Sequence, residues 1–234
     1  MSALYLYGVT RPREVPARLA ENGVHLVVSE GRAAIVSELD AAPVEATRRN
    51  LLAHADVVEE LHERAVVLPA RFGLVLEDPE AALELLALPE LESQLERHRE
   101  QSELTLKGTY EESVLAEVSA ALEPLRDMYR QAPTMENGVA LGEAVTEALF
   151  ERRTRDREEL LARLGPFLQG VVVGDPAGEL DALELALLVR RDAVEQVSQA
   201  LEGASAVLSP PLHLRLVGPL PPYSFVSLEL PAPV

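Results

Sequence analysis

The chain has 234 residues, of which 47% are hydrophobic and 26% are charged, and this composition is typical of a folded protein with a substantial core. Its formal net charge of −18 argues against nucleic acid or an anionic membrane surface as a partner, because both are bound through clustered lysine and arginine side chains. The absence of cysteine excludes disulfides and thiol catalysis, and we expect a cytoplasmic protein because the sequence shows neither a signal peptide nor an apolar run long enough to span a membrane.

The first part of the chain shows a pattern that favours a ferredoxin-like α/β sandwich. Apolar patterns predict strands at residues 4–9, 24–28 and 33–39, and a buried strand at residues 66–76 that is broken by Pro69 and Gly73. Residues 11–22 are a short helical or irregular link, and Glu30-Gly31 is a predicted hairpin turn. A helix is predicted to begin near Pro43, because the apolar residues after it recur at helical spacing. The resulting order of strands and helices is that of the ferredoxin-like fold.

An acidic and polar stretch connects two predicted domains. Asp78-Pro79 predicts the start of a helix, because aspartate caps a helix N-terminus and proline is tolerated at the first helical position. Pro89 interrupts the helical pattern, and the sequence from there to Gln101 is acidic and polar. We therefore predict an N-terminal ferredoxin-like α/β domain with a linker helix at residues 1–101, and a C-terminal α+β domain at residues 102–234.

The second part of the chain repeats this order of elements around a longer helical insertion. Strands are predicted at residues 103–107, 171–173, 183–189 and 212–216, with a short helix at 192–201. Thr109 and Glu112 have the spacing of a helix capping box, and a long helix is predicted at residues 139–164. Its centre, residues 151–159, is charged except at Thr154, so we expect a helical hairpin whose middle projects into solvent. The predicted fold class is α+β, with two ferredoxin-like units and a long helical hairpin insertion in the second.

The C-terminal segment, which begins at Gly218, has the clearest pattern in the chain. Gly218 ends the preceding predicted strand, and the prolines that follow hold the next residues extended. Apolar and polar residues then alternate, which predicts that Ser224–Leu230 pair as a terminal strand. No catalytic residue type is needed to explain this pattern, and it favours a structural or binding protein.

Short motifs in a fixed order span almost the whole chain. They are Tyr5-Leu6-Tyr7-Gly8-Val9, Leu68-Pro69-Ala70-Arg71-Phe72-Gly73, Glu103-Leu104-Thr105-Leu106-Lys107-Gly108 and Gly218-Pro219-Leu220-Pro221-Pro222-Tyr223-Ser224-Phe225. In these motifs the chain resembles the gas vesicle protein GvpL/GvpF family, whose opening strand, L-P-x-R-F-G, E-W-x-x-K and G-P-W-P-P-Y-S-F elements follow the same order. The chain has no tryptophan, and Leu104 and Leu220 stand where the family usually places one, so an apolar side chain is kept but an indole N–H is not.

The resemblance implies a noncatalytic, chaperone-like accessory protein that binds the hydrophobic shell protein during gas vesicle assembly, or a minor component of the vesicle. The implied partners are the shell protein and other gas vesicle accessory proteins, with no nucleic acid and no membrane, and the implied location is the cytoplasm in association with gas vesicles. An acidic body could present an apolar groove or a sheet edge to a shell subunit and hide it from self-association. The alternative is a ferredoxin-like small-molecule-binding regulator or enzyme.

The motifs contain two cationic candidates for partner contacts. The Arg71 guanidinium could grip a carboxylate of a partner or ligand, although an internal salt bridge is the favoured interpretation. Lys107 is the only lysine among 21 basic side chains, and it stands where the family motif has one. This lysine indicates either a need for a compact ammonium or chance retention on a surface strand.

Aromatic residues are concentrated in two of the motifs. Aromatic residues make up only 4% of the chain, yet Phe72, Tyr223 and Phe225 lie in these short segments. They predict either a shared interdomain packing site or a binding patch, and core packing is favoured for at least one of them. The predicted partner-binding residues are therefore Arg71, Phe72, Lys107, Tyr223 and Phe225.

No catalytic site, metal site or cofactor is expected. His54 and His62 lie about two turns apart on a predicted helix, too far to share one ion without other ligands, so we expect partly exposed histidines that bind no metal. The stretch at residues 174–178 is a predicted turn, because it lacks the lysine and the spacing of a phosphate-binding loop. The sequence also lacks a G-x-S-x-G element, and we expect no enzyme activity.

Overall fold

The structure is a computed structural model, and it describes residues 3–13, 15–39, 43–205 and 212–228. Its β-strands are β1 (Ala3–Thr10), β2 (His25–Ser29), β3 (Arg32–Leu39), β4 (Val67–Pro69), β5 (Val75–Leu76), β6 (Gln101–Tyr110), β7 (Leu168–Gly174), β8 (Asp181–Arg190) and β9 (Leu212–Leu220). Its α-helices are α1 (Ala17–Glu21), α2 (Arg48–His62), α3 (Pro79–Leu86), α4 (Glu90–Arg97), α5 (Ser113–Ala121), α6 (Glu123–Gln131), α7 (Met135–Leu164) and α8 (Val194–Ser205). The predicted α+β class is confirmed.

The chain forms two compact units, each built from more than one stretch of sequence. Unit 1 comprises Met1–Leu104, Leu188–Arg191 and Gly218–Val234, and unit 2 comprises Thr105–Leu187 and Asp192–Val217. The two domains expected at residues 1–101 and 102–234 stay a prediction, because a compact unit need not fold on its own. The C-terminal segment belongs to unit 1, although the preceding sequence belongs to unit 2.

The sheet of unit 1 has the strand order β2-β3-β1-β4, which is the predicted ferredoxin-like order, and β5 also pairs with β1. Strand β1 is antiparallel to both β3 and β4. One face of the sheet contributes Leu4 and Leu6 to a buried cluster with apolar residues of α3 and α4. The other face contributes Ile35 and Val67 to a second cluster with α2. Both faces of this sheet are therefore covered by apolar residues.

Two local features of unit 1 follow directly from the sequence. The β2–β3 hairpin turns at Glu30 and Gly31, whose φ angles are 48° and 78°, and this conformation confirms the predicted turn. In β1, the register with β3 shifts between Leu6 and Gly8. A Cβ at Gly8 would stand 2.5 Å from the Leu68 carbonyl oxygen, so the pairing of β1 with β4 requires glycine there.

The helices of unit 1 start where a side chain caps them. Asp78 caps α3 by accepting a hydrogen bond from the Ala81 N–H at 2.9 Å, as predicted. The prediction that a helix begins near Pro43 was wrong, because α2 begins at Arg48. Thr47 is the reason, since its side chain accepts a hydrogen bond from the Asn50 N–H and its extended backbone cannot continue a helix upstream.

Unit 2 is built on a second sheet with the order β7-β8-β6-β9, so its strands also follow the ferredoxin-like order. Helices α5, α6 and α7 lie between β6 and β7 in the chain, and α7 packs against α6. Thr109 does not cap a helix, because it lies inside β6. The expectation that residues 151–159 are wholly solvated was also wrong, because Asp156 is buried.

The C-terminal segment does not form the predicted terminal strand within the residues described. Gly218 lies inside β9, residues 223–225 form a turn, and residues 226–228 have no strand partner among the described residues. Val226 and Leu228 are instead buried in the cluster that contains Leu4 and Leu6. The turn explains the difference, because the N–H groups of Phe225 and Val226 both donate to the Pro222 carbonyl oxygen and the chain does not run extended there. Residues 229 and 230 of the predicted strand lie outside the described residues.

Candidate partner-binding site

An aromatic cluster forms on unit 1 where β1, α2 and the turn after β4 meet. Tyr5 and Tyr7 lie two residues apart in β1, and their ring centroids are 4.9 Å apart. His54 of α2 stacks on Tyr7 at 5.6 Å, and Phe72 lies edge-on to His54 at 5.8 Å and to Tyr5 at 6.2 Å. We call Tyr5, Tyr7, His54 and Phe72 the aromatic cluster.

Hydrogen bonds hold the polar atoms of the aromatic cluster in place. The Gly73 N–H donates to the Tyr5 hydroxyl oxygen at 3.2 Å, and that hydroxyl lies 2.9 Å from His54 Nδ1. The two bonds are compatible when Tyr5 donates its proton to a neutral imidazole. Burial lowers the pKa of His54 and raises the pKa of Tyr5, so both side chains favour their neutral forms.

The aromatic cluster lines an open cavity of about 150 Å³. The other lining residues are Ser37, Leu39, Val44, Asn50 and Ala53. Phe72 is half-buried, so part of its ring remains accessible. Neutral rings and short side chains make this cavity suited to an apolar group, and the Tyr7 and Ser37 hydroxyls, 3.2 Å apart, add a polar edge.

Arg71 precedes Phe72 and is exposed. Its carbonyl oxygen accepts a hydrogen bond from the Leu74 N–H at 3.2 Å, which closes the turn between β4 and β5. The internal salt bridge favoured for Arg71 is not found within the described residues. Its guanidinium is therefore available to a carboxylate from outside, as far as the described part of the chain shows.

The motifs at residues 103–108 and 218–225 meet through a buried carboxylate. The Ser224 N–H donates to Glu103 Oε2 at 2.7 Å, and the Ser224 hydroxyl donates to Oε1 at 2.9 Å. Glu103 is only 3% exposed. Burial raises the pKa of Glu103, while the two Ser224 hydrogen bonds act in the opposite direction. This Glu103–Ser224 pair fastens the C-terminal segment to unit 1.

Glycine is required beside the Glu103–Ser224 pair. Gly218 has a φ of 137°, which a residue with a side chain rarely adopts. A Cβ at Gly218 would approach both the Glu103 carbonyl oxygen and Leu104 Cδ2 to 2.8 Å. The first residue of the C-terminal motif therefore allows the close approach that brings Ser224 to Glu103.

Tyr223 and Phe225 flank Ser224 and are both half-buried. Tyr223 packs against the apolar cluster that includes Val57 and Leu61 of α2. Burial, followed by the nearby Glu59 and Glu103 carboxylates, raises the pKa of Tyr223, and its hydroxyl has no hydrogen-bond partner among the described residues. Among the described residues the ring contacts of Phe72 are with Tyr5 and His54, and a binding patch shared with Tyr223 and Phe225 stays a prediction.

Lys107 lies on β6 in unit 2, apart in sequence from the aromatic cluster of unit 1. Its ammonium group forms an ion pair with Glu184 at 2.9 Å, and the two side chains are 54% and 41% exposed. An exposed pair of this kind contributes little to stability. Lys107 is therefore a solvated surface residue paired with Glu184. A role of Lys107 in partner binding stays a prediction.

The expectation of partly exposed histidines was wrong. His54 and His62 are 6% and 3% exposed, because α2 turns both towards the interior of unit 1. His62 Nε2 lies 3.0 Å from the Ser102 hydroxyl, and burial together with Arg191 lowers the pKa of His62 to about 3. No group of three or more histidine, aspartate or glutamate side chains suited to a metal ion occurs in the described part of the chain.

Comparison with known proteins identifies the family. A family model described as gas vesicle synthesis protein GvpL/GvpF matches residues 3–227. The chain belongs to the GvpL/GvpF family. Gas vesicle protein F of Streptomyces sp. (strain CB03234) is 33% identical over 95% of this chain and 99% of its own length. Gas vesicle protein F of Dolichospermum flosaquae is 28% identical over 97% of this chain and 98% of its own length.

Solved structures agree with this assignment. The crystal structure of the gas vesicle protein GvpF from Anabaena sp. PCC7120 has a TM-score of 0.81 and 25% sequence identity, and covers 98% of this chain and 100% of that one. The GvpF structure from Microcystis aeruginosa has a TM-score of 0.78 and 26% identity, and covers 96% of this chain and 99% of that one. The resemblance drawn from the motifs is thereby confirmed.

The family supports a gas vesicle-associated role for the chain. It is a family of gas vesicle structural or accessory proteins and is not a known enzyme family. Among the helices described, none combines the length and the apolar character needed to cross a membrane.

Proposed function

We propose that this chain is a noncatalytic accessory protein that binds the small hydrophobic shell protein during gas vesicle assembly, and that the shell protein binds at the aromatic cluster of unit 1. The open cavity beside Tyr5, Tyr7, His54 and Phe72 is the observation that carries the proposal. Aromatic side chains in a rigid, partly desolvated pocket supply large contact area at low entropic cost, and such residues dominate binding energy at protein interfaces.

Arg71 complements the apolar cavity with a charge. It is exposed, it is the neighbour of Phe72 in sequence, and no described residue forms an ion pair with it. A carboxylate on the shell segment would pair with its guanidinium and set the orientation of the bound segment. Phe72 would contribute most of the binding energy, and Arg71 would contribute mainly specificity.

The charge of the whole chain supports handling of a hydrophobic partner. A net charge of −18 keeps copies of the chain apart, but at cellular salt this repulsion is screened beyond roughly 8 to 10 Å. A shell subunit can therefore reach a local apolar cavity without nonspecific association elsewhere. Tyr223, Phe225 and Lys107 remain predicted as further contacts, while the ligand-binding or enzymatic alternative is not favoured by the family assignment.

A binding measurement tests the proposal. Soluble shell subunit would be titrated against the unmutated chain and against the Phe72→Ala variant, and we expect Phe72→Ala to weaken binding by about tenfold or more. Phe150→Ala is the matched control, because Phe150 is an exposed phenylalanine on α7 in unit 2. The proposal fails if the unmutated chain does not bind, and the site assignment fails if the two variants behave alike.

A second experiment separates an assembly factor from a minor component of the vesicle. Purified vesicles would be washed with urea and probed with an antibody against this chain. An assembly factor that leaves after assembly is expected to be absent from the washed vesicles. Retention at a constant ratio to the shell protein would instead identify a component of the wall.

A further inference from the structure

Unit 1 contains a cavity lined by arginines, which shares no lining residue with the cavity of the aromatic cluster. This cavity measures about 210 Å³, and its lining includes Arg11, Arg13, Arg64, Arg99 and Arg191. Glu63 and Glu100 also line it, so the positive side chains outnumber the negative ones. This excess is unexpected in a chain with 39 acidic and 21 basic residues, because most arginines would be expected to find carboxylates.

The arginines of this cavity divide into paired and unpaired groups. Arg11 pairs with Glu92 at 2.8 Å and with Glu96 at 3.0 Å, and Arg99 lies 3.6 Å from Glu96. The others, Arg13, Arg64 and Arg191, form no ion pair with any carboxylate in the described part of the chain. Within the described residues, the hydrogen bond of the Arg13 side chain goes to the Arg64 carbonyl oxygen, at 3.1 Å. Three guanidinium groups therefore line one cavity without an ion pair to any described carboxylate.

Arg191 is the most constrained of these side chains. It is half-buried, and its Nη2 lies 3.1 Å from His62 Nδ1 and 3.3 Å from the Ala65 carbonyl oxygen. Its Nε is enclosed and has no hydrogen-bond partner within the described residues. His62 is neutral, because its pKa is lowered to about 3, so its ring can accept a hydrogen bond from Arg191 without adding a charge. A partly desolvated guanidinium with this environment favours an incoming anion.

A second cavity, with a mixed polar and apolar lining, adjoins the arginine-lined one. It measures about 490 Å³ and is lined by Thr10, Leu26 and Leu61, and it shares Arg13, Arg64 and Ala65 with the first cavity. We name the two cavities together the arginine groove. A free phosphate or carboxylate ion would contact only the arginines of the groove. A ligand that uses the whole groove needs anionic groups together with an apolar side chain.

We propose that the arginine groove binds an acidic segment of another protein, with glutamate or aspartate side chains against Arg13, Arg64 and Arg191 and a leucine-like side chain against Leu26 and Leu61. Charge complementarity selects this occupant, because guanidinium groups bind carboxylates in a fixed bidentate geometry and the adjoining cavity rewards an apolar neighbour. The proposal does not rest on shell-protein binding, since the arginine groove and the aromatic cluster share no lining residue.

The test uses a labelled peptide and the full chain. The probe is a fluorescein-labelled peptide with the sequence Gly-Ser-Glu-Glu-Leu-Glu-Glu-Gly-Ser, and binding is followed by fluorescence anisotropy at low and at high salt. We expect binding that weakens as salt is raised, because exposed charges are screened within a Debye length. A peptide with glutamine in place of glutamate should not bind measurably, and replacement of its leucine by alanine should weaken binding.

Variants of the chain locate the peptide. Arg13→Ala combined with Arg64→Ala should weaken binding by at least about tenfold, because a hydrogen bond to a charged group contributes roughly that factor. Both side chains are exposed, so the double variant is expected to keep the circular dichroism and thermal transition of the unmutated chain. Arg155→Ala is the matched control, because Arg155 is an exposed arginine on α7 in unit 2, and this variant should bind the peptide normally.

Specific results would overturn the proposal. Equal binding of the glutamate and glutamine peptides, or unchanged binding by the double variant, would remove it. Binding of inorganic phosphate without binding of the peptide would identify a small-anion site instead. Self-association of the chain that is lost in the double variant, with no peptide binding, would identify a second copy as the occupant.

Discussion

Each unit buries a carboxylate, and the two carboxylates are stabilised in different ways. In unit 2, Asp156 of α7 is 6% exposed and pairs with Arg152 at 2.9 Å, while the Tyr110 hydroxyl donates to it at 2.7 Å. In unit 1, Glu103 accepts hydrogen bonds from the backbone and side chain of Ser224 and has no cationic partner among the described residues. One carboxylate is neutralised by a charge, and the other is held by neutral donors.

The two buried carboxylates connect different parts of the chain. Asp156 connects α7 to β6 by accepting the hydrogen bond from Tyr110, while its ion pair with Arg152 lies within α7. Glu103 connects the start of β6 to the C-terminal motif within unit 1. Glu103 and Ser224 lie in the motifs by which the chain resembles its family, and the structure gives both a role in holding the chain together.

Removal of Asp156 should have the largest effect on stability. Asp156→Ala leaves Arg152 and the Tyr110 hydroxyl without their shared acceptor, and we expect a loss of about 2–3 kcal/mol in the free energy of unfolding. Urea unfolding followed by circular dichroism measures this loss. Asp127→Ala is the matched control, because the Asp127–Arg130 pair is 52% and 55% exposed and should contribute less than about 0.5 kcal/mol. Equal losses in both variants would contradict the assignment of Asp156 as a buried, paired carboxylate.

Removal of the Ser224 hydroxyl should have an intermediate effect. Ser224→Ala deletes one donor to Glu103 but keeps the backbone N–H, so we expect a loss of about 1–2 kcal/mol. Ser227→Ala provides the control, because Ser227 is exposed in the same segment. Hydrogen exchange at residues 226–228 would show whether the segment loosens. If Ser224→Ala is as stable as Ser227→Ala, the Glu103–Ser224 pair does not fasten the segment.

The smallest expected effect is the pH dependence of stability that comes from Glu103. Because burial raises the pKa of Glu103 in the folded protein, folding favours its protonated form. This contribution is fully present below the ordinary pKa of 4.5 and is lost as pH rises through the folded pKa. The stability of the unmutated chain relative to Glu103→Gln should therefore fall as pH rises above about 4.5. A difference that stays constant or grows with pH would contradict this assignment.

Much of the fold follows from patterns that act locally. Alternating apolar residues predicted the strands of both sheets, Glu30-Gly31 predicted a hairpin turn, and Asp78-Pro79 predicted a capped helix. Each of these features depends on a few neighbouring residues, so one sequence is enough to find it. The ferredoxin-like order in both units then followed from the order of elements along the chain.

The missed features depend on contacts between distant residues. Asp156 lies in a charged run, and its burial is explained by its contacts with Tyr110 and Arg152. Val226 and Leu228 alternate as a strand does, but they pack into the core of unit 1 without pairing. The start of α2 was misplaced because the Thr47 cap outweighed the proline upstream.

The candidate site was predicted only in part. Phe72 and Arg71 were selected from their motif, but Tyr5, Tyr7 and His54 were not selected. Their convergence depends on the register shift after Leu6 and on the packing of α2 against the sheet. A tyrosine pair two residues apart in a strand was the available signal, because such residues share one face. No sequence pattern indicated the arginine groove, whose lining comes from separate segments of the chain.

The division of the chain into units also determines when the core of unit 1 can be completed during synthesis on the ribosome. Residues 1–104 are synthesised first, yet Val226 and Leu228 of the same core are made only after the whole of unit 2. Until then the nascent protein carries an unfilled hydrophobic surface, and such surfaces attract chaperones or promote aggregation. Translation speed through unit 2 therefore governs how long that surface stays uncovered.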